Sequence, residues 1–565
     1  MSRASDLPAN YHWIALANTT AAVFMSVLDG SIVLIAMPAI FAGIGLDPLE
    51  PSNIGFLLWM IMGYRLVQAV LVVPVGWLGD LYGRVRIYNA GFAVFTVASL
   101  LLSFDPFHAE RAAIWLIAWR IVQALGGSML TANSAAILTD AFPPERRGFA
   151  LGTNQVAALA GQFIGLTLGG LLAVWDWRAV FWVNVPVGLF GTWWAYTRLR
   201  ETSSTRRTAA RLDWAGNLTF AVGLSALLIG ITEAIQPHGE SSMSWTAPRV
   251  LVELIGGLLL LLAFVVIESR VENPMFHLGL FRIRAFAAGN LAALMASIAR
   301  GGMQFVLIIW LQGIWLPIHG YDYAQTPLWA GIFLLPLSIG FLIAGPVAGT
   351  LSDRLGSRGI ATSGMLLFSA TFLGLLLLPI DFPYWIFAAL IFVNGIANGM
   401  FTSPNTSAIM GSVPAEHRGA ASGMRATFQN SGTALSIGVF FSLMIAGLAS
   451  SLPHTLTSGL VAAGVSPSSA AAAGAQPPVA SLFAAILGVD PIEQLVGRSV
   501  GGHDFFPRLI SGPFHTGLVV VFAFGAALGL LAAIASALRG AGTTGTRSFT
   551  PADTPADTPA ERTAS

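Results

Sequence analysis

The chain has 565 residues, 55% hydrophobic and only 10% charged, where soluble domains carry roughly a quarter charged residues; this excludes an ordinary soluble domain and indicates an integral membrane protein. Its 28 basic residues, all Arg, nearly balance 27 acidic ones to a net charge of +1, so bulk electrostatics give no reason to expect a nucleic-acid partner. Cys is absent, which excludes disulfides, thiol chemistry and Cys-ligated metals.

Residues 1–13 form a short polar N-terminus, and the apolar segment after it is too long for the core of a cleavable signal. With about 20 apolar residues per crossing, the sequence predicts an all-α protein of fourteen transmembrane helices. They cover 14–40, 54–77, 87–104, 112–139, 148–174, 179–199, 213–235, 249–268, 284–315, 328–350, 359–379, 383–410, 420–449 and 513–537. The span 284–315 is unusually long and carries Arg300 and Gly301–Gly302. An even number puts both termini on one side of the membrane. Arg65, Arg120, Arg300 and Arg425 fall within spans. If the termini are cytoplasmic, only Arg111, Arg178, Arg249, Arg498 and Arg508 lie outside, with the other nineteen inside. The positive-inside rule therefore predicts cytoplasmic termini. Residues 450–512 form a long extracytoplasmic segment whose low-complexity run Ser466–Pro478 reads as flexible. After it, Leu482, Ile486, Leu487, Ile492 and Leu495 recur with helical spacing, predicting a short helix on the outer face. The tail 538–565 repeats Pro-Ala-Asp-Thr and reads as disordered and cytoplasmic.

Two segments far apart repeat one pattern, G-x-L-x-D-x-x-G with Arg close behind. The first, after the second span, carries Gly76, Asp80, Gly83 and Arg84; the second, after the tenth, carries Gly349, Asp353, Arg354, Gly356 and Arg358. Gly permits a tight turn, and an Asp at a helix end is suited to pair with Arg across a bundle and hold one conformation shut. Internal duplication of this kind is a common transporter build.

The two loops resemble the signature loop of the major facilitator superfamily. Further segments resemble its fourteen-helix drug:proton antiporter branch: Leu28-Asp29 through Pro38 in the first span, Arg120-Ile-Val-Gln123-Ala-Leu-Gly126 in the fourth, and Trp177-Arg178 through Gly188 at the turn into the sixth. The fifth span carries the packing glycines Gly161, Gly165, Gly169 and Gly170, but Leu166 stands where the antiporter signature has Pro. Leu81 stands where the first loop usually has a basic residue, so Asp353 beside Arg354 is expected to make the stronger latch. The resemblance implies two six-helix lobes built from inverted three-helix repeats, spans 1–6 (residues 14–199) and 9–14 (271–449 and 513–537), around a central cavity. Residues 200–270 would be two inserted helices packed peripherally. Transport would proceed by rocking of the lobes.

A charge in mid-membrane costs a few kcal/mol, so Asp29, Arg65, Arg120 and Arg300 mark candidate sites. Asp29 is the one mid-depth acid. On cavity-lining helices, Asp29 and Arg120 would be the proton-coupling pair, with Asp29 taking a proton outside and releasing it inside; the alternative is a static ion pair between two helices. Arg65 and Arg300 are either substrate contacts or guanidiniums that snorkel or bond backbone carbonyls near a helix break, which for Arg300 would be at Gly301–Gly302. Gln123, Asn394 and Asn398 are further cavity candidates; Asn394, Asn398 and Asn405 share part of a helix face and serve either the cavity or interhelical bonds. Three cavity Arg against one Asp favour an anionic or zwitterionic amphipath over a quaternary cation. Asp140 and Arg146–Arg147 read as a capping acid and interfacial anchors.

The expected function is a secondary active transporter, a proton-coupled exporter of hydrophobic or amphipathic compounds in the inner membrane of a bacterium. It would act as a monomer on a small-molecule or lipid-like substrate. Export of a lipid or anionic amphipath, and symport, are the alternatives within transport. No His-based metal spacing occurs and no G-x-x-x-x-G-K-[ST], so no cofactor and no ATP site are expected. Neither the clustered groups of a membrane enzyme nor a large soluble sensor domain is evident.

Overall fold

A backbone in hydrocarbon must satisfy its own hydrogen bonds, which leaves helices as the answer to this composition. The computed structural model describes residues 8, 10–46, 53–143, 146–201, 213–236, 243–271, 274, 276–414, 418–487 and 504–539, and these contain helices and no strands. In chain order the helices are α1 (Tyr11–Ile44), α2 (Ile54–Tyr82), α3 (Arg84–Ser103), α4 (Ala109–Ala141), α5 (Arg147–Trp175), α6 (Ala179–Trp182), α7 (Asn184–Arg198), α8 (Trp214–Ala234) and α9 (Pro248–Glu268). They continue as α10 (Arg284–Ile309), which passes through a π-turn Trp310–Trp315 into α11 (Leu316–Ile318), then α12 (Thr326–Phe333), α13 (Leu335–Leu355), α14 (Ser357–Leu376), α15 (Tyr384–Gly411) and α16 (Arg418–Ala449). The last are α17 (Leu452–Ala462), α18 (Pro467–Gly474), α19 (Pro478–Leu487) and α20 (Phe505–Ala537).

Thirteen helical stretches among the described residues are long and apolar enough to cross a bilayer. The remaining predicted span, 179–199, is present as α6 and α7, interrupted at Val183. The long span carrying Arg300 continues to Ile318.

Helices α1 to α7 pack chiefly among themselves, and α10, α13 to α16 and α20 form a second group. α8 and α9 pack on each other; α8 also leans on α2 of the first group and α16 of the second. The groups meet along α5 against α12, α13 and α15, and along α2 against α16.

The segment after α16 differs from expectation. The low-complexity run read as flexible forms α18, whose first turn is capped by Ser466 Oγ accepting from the Ser469 amide at 3.2 Å, and α18 packs on α17. α19 does not lie on a surface: it packs against α1, α16 and the π-turn. Val479, Ala480 and Leu482 are fully buried there. An apolar helical stripe is stable only when covered, and the two helix groups provide the cover. Residues 488–503 and the predicted tail 540–565 lie outside the described residues.

Candidate functional site

Asp29 sits mid-way along α1, with no exposed surface. Its Oδ2 accepts from Arg120 Nη1 of α4 at 2.5 Å. Its Oδ1 accepts from Gln123 Nε2 at 3.0 Å and from Asn184 Nδ2 of α7 at 2.6 Å. Gln123 Oε1 in turn accepts from Arg120 Nη1 at 2.8 Å, and Gln123 Nε2 donates to Ser99 Oγ of α3 at 2.8 Å. The Arg120 guanidinium carbon lies 4.2 Å from the ring centroid of Tyr64, a cation–π placement. Tyr64 is fixed by donating its hydroxyl to the Ser26 carbonyl at 2.8 Å. The carboxylate is thus met by three side-chain donors from two neighbouring helices. That is how a buried charge is retained rather than neutralised.

The fifth helix packs directly on α1. A Cβ added at Gly161 or Gly165 would come within 2.6 Å of the backbone carbonyls of Phe24 or Leu28 in α1. Gly169 faces Ile32 in the same way, while Gly170 faces Pro327 of α12 across the lobe boundary. The glycine face therefore presses α5 directly on the α1 backbone carrying Asp29. α5 runs from Arg147 to Trp175 as one helix through Leu166, consistent with the missing Pro.

Beside the ion pair lies a small cavity, bordered from α2 by Arg65, from α4 by Arg120, from α5 by Gln162 and from α10 by Gln304. Gln162 Nε2 donates to Gln304 Oε1 at 2.5 Å, joining the two lobes. Arg65 lies against Gly30: a Cβ there would be 3.1 Å from its guanidinium carbon. Arg300 is 5% exposed and is not among the residues that border the cavity. Its helix is unbroken at 300–302, so no carbonyl is freed there; Gly301 and Gly302 instead admit Ser436 and Phe440 of α16.

The other candidates sit elsewhere. Gln123 belongs to the Asp29 cluster and does not border the cavity. Asn394 donates to Thr371 Oγ1 of α14 at 2.7 Å, and Asn398 to Asn394 Oδ1 at 3.0 Å, so both make bonds within the second lobe. Asn405 donates to the Gly289 carbonyl at 3.2 Å and accepts from Arg539.

The duplicated motifs lie on helix ends, not in loops. Gly76 and the Asp80 position fall in the last turns of α2, Gly349 and the Asp353 position in those of α13. One residue makes each turn: Gly83 at φ 108°, ψ 125°, and Gly356 at φ 87°, ψ 142°. The side chains of Asp80 and Asp353 lie outside the described residues. Arg84 pairs with Asp140 at 2.7 Å, joining α3 to the end of α4, while Arg354 and Arg358 are exposed.

Three features carried no signal strong enough to single them out. Asn184 stood inside a quoted motif without a role. Glu201 holds the start of α3, its carboxylate accepting from the amides of Arg84 at 2.9 Å and Val85 at 3.2 Å. Arg425 bridges the lobes near the helix ends that carry the chain termini, donating to Gln155 Oε1 at 2.8 Å and Gln429 Oε1 at 3.0 Å. A lone Arg in a span gives its depth, not its partner.

Comparison with known proteins followed these features. The family model described as Major Facilitator Superfamily matches residues 19–437. The chain is 32% identical over 451 residues to the multidrug resistance protein Stp of Mycobacterium tuberculosis (strain CDC 1551 / Oshkosh), covering 78% of each chain. It is 30% identical over 446 residues to the methyl viologen resistance protein SmvA of Salmonella typhimurium (strain LT2), covering 78% of this chain and 84% of that one. The crystal structure of a D-xylose-proton symporter shares the fold, with a TM-score of 0.53 at 13% identity, over 77% of this chain and 90% of its own.

Proposed function

The chain belongs to the major facilitator superfamily and is a multi-pass membrane transporter, and from that premise we propose that it exports hydrophobic or amphipathic compounds in exchange for protons by alternating access. The observation that carries this reading is the Asp29 carboxylate, buried among Arg120, Gln123 and Asn184. Protonation removes the negative charge that Arg120 faces and weakens the tie between α1 and α4; deprotonation restores it. One proton crossing 100 mV supplies about 2.3 kcal/mol, enough to bias two conformations by well over tenfold. The names of the relatives, for multidrug and methyl viologen resistance, support export as the direction. The Arg distribution supports cytoplasmic termini in a bacterial inner membrane, and the transporter acts as a monomer. The energy source is the proton gradient, with no cofactor.

The test is reconstitution into liposomes holding a pH-sensitive dye. An amphipathic substrate added under an imposed pH gradient should accumulate and move protons in the opposite sense. Substrate movement indifferent to the gradient overturns the reading.

A further inference from the structure

We propose that Tyr64 is a positioning residue of the proton site: its ring holds the Arg120 guanidinium in place while Asp29 carries a proton, and so helps to set the pH at which that proton leaves. The proposal rests on the proton-coupled reading above and adds a residue to it.

Tyr64 lies on α2 and makes no hydrogen bond to Asp29, Arg120, Gln123 or Asn184. It is fully buried, and the Arg120 guanidinium carbon stands 4.2 Å from its ring centroid. The ring is fixed at its far end. Its hydroxyl donates to the Ser26 carbonyl of α1 at 2.8 Å, about one turn before Asp29 on the same helix. Gln68 Nε2, about one turn further along α2, donates to the Tyr64 hydroxyl and to Ser26 Oγ, each at 3.1 Å. Two glycines leave room for this arrangement. A Cβ at Gly127 of α4 would lie 3.1 Å from the Tyr64 hydroxyl oxygen, and one at Gly30 of α1 would lie 3.2 Å from its Cε1. The helix that carries Asp29 thus also carries the anchor that keeps the ring beside Arg120.

Arg120 has little else to rely on. Its Nη1 serves both Asp29 and Gln123, and its Nε is buried without a hydrogen-bond partner. When Asp29 is neutral the guanidinium loses its counter-charge, and Gln123 Oε1 and the negative face of the Tyr64 ring remain to compensate it. A cation left unpaired out of water is costly, so the ring lowers the cost of protonating Asp29. Without the ring the balance moves toward the ionised carboxylate, and protonation requires lower pH. The charged groups at this point are Asp29 of α1 and Arg120 of α4, paired at 2.5 Å, and Arg65 of α2, whose guanidinium carbon would lie 3.1 Å from the same added Cβ at Gly30. The other packed elements bring neutral groups: Ser99 from α3, Asn184 from α7, Gln162 from α5, and Thr433 and Ser436 from α16.

The experiment is an infrared titration of the purified full chain in phosphatidylcholine nanodiscs, without substrate and without a pH gradient. It follows the carbonyl stretch of the protonated carboxyl group, assigned to Asp29 by its loss in Asp29→Asn. Tyr64→Leu should move the midpoint of this band to lower pH, by up to about one and a half units, the whole worth of a desolvated cation–π contact. Tyr64→Phe keeps the ring and loses the hydroxyl; it should lower the melting temperature yet hold the midpoint near that of wild type. Should Tyr64→Leu not fold, phenylalanine analogues carrying one, two or three ring fluorines at the same position keep the shape while draining the ring face of electron density. The midpoint should fall step by step along that series, a dependence that packing alone does not produce. A midpoint indifferent to fluorination, or one moved as far by Tyr64→Phe as by Tyr64→Leu, overturns the proposal while leaving proton binding at Asp29 intact. Absence of any titrating Asp29 band in wild type removes the proton-coupled reading itself, and the role of Tyr64 with it.

Discussion

Asp29 and Arg120, 91 residues apart in the chain, meet at 2.5 Å with side chains 0% and 3% exposed. Ions cannot be withdrawn from water this completely unless each satisfies the other, and breaking such a pair costs about 3–5 kcal/mol. Asp29→Asn keeps an acceptor for Arg120 but has no proton to exchange. It should express and bind substrate while losing uphill transport, whereas Asp29→Leu should also lower stability by about 3–5 kcal/mol. Transport by the Asn variant against a gradient would show that the pair is structural.

Asn184 lends Asp29 a donor at 2.6 Å from a third helix. That hydrogen bond favours the ionised carboxylate. Asn184→Ala removes that donor and should therefore move the pH midpoint of transport upward. Rates measured across a pH series would reveal this, and an unmoved midpoint with a lower maximum would mean that Asn184 serves packing alone.

Gly165 faces the Leu28 carbonyl at 2.6 Å from its would-be Cβ, while nothing lies within 4 Å of Gly152 on the same helix. Gly165→Val should force α5 from α1 and lower stability by about 1–3 kcal/mol or more. Gly152→Ala should be neutral or slightly stabilising, by up to about 1 kcal/mol. Melting temperatures in detergent separate the two; similar losses at both sites would refute the role of the glycine face.

Gly83 and Gly356 occupy equivalent turns with positive φ. Alanine is strained in either, at a cost of about 1–3 kcal/mol. At Gly83 the new Cβ would also lie 2.9 Å from a Glu201 carboxylate oxygen, and at Gly356 it meets nothing within 4 Å. Gly83→Ala should therefore be the more damaging, and the order of the two melting temperatures tests it.

Arg425 of α16 joins the lobes by donating to Gln155 of α5, with Gln429 of its own helix as a second acceptor. Arg425→Ala should shift the population toward states open at that end. Spin labels placed on the ends of α5 and α16 would report longer distances on average. A distribution identical to wild type would mean that the bridge follows closure without stabilising it.

Hydropathy and local chemistry determined a large part of this protein on their own. The spans are legible because a crossing demands about 20 apolar residues in sequence, and the duplicated turns because only glycine accepts the backbone at residues 83 and 356 without strain. Asp29 and Arg120 stood out by charge at depth. Periodicity in 478–500 marked a helix, but only packing decided that its described part, α19, is covered by α1, α16 and the π-turn. Depth is a one-dimensional property, whereas the direction a side chain faces around its helix depends on which neighbours pack there. That is why Asn394 turned to Thr371, why Asn184 reached Asp29, and why Arg65 came to lie against Gly30. Gln155 and Arg425, 270 residues apart, meet only because the two lobes close on each other, and no local pattern encodes that contact.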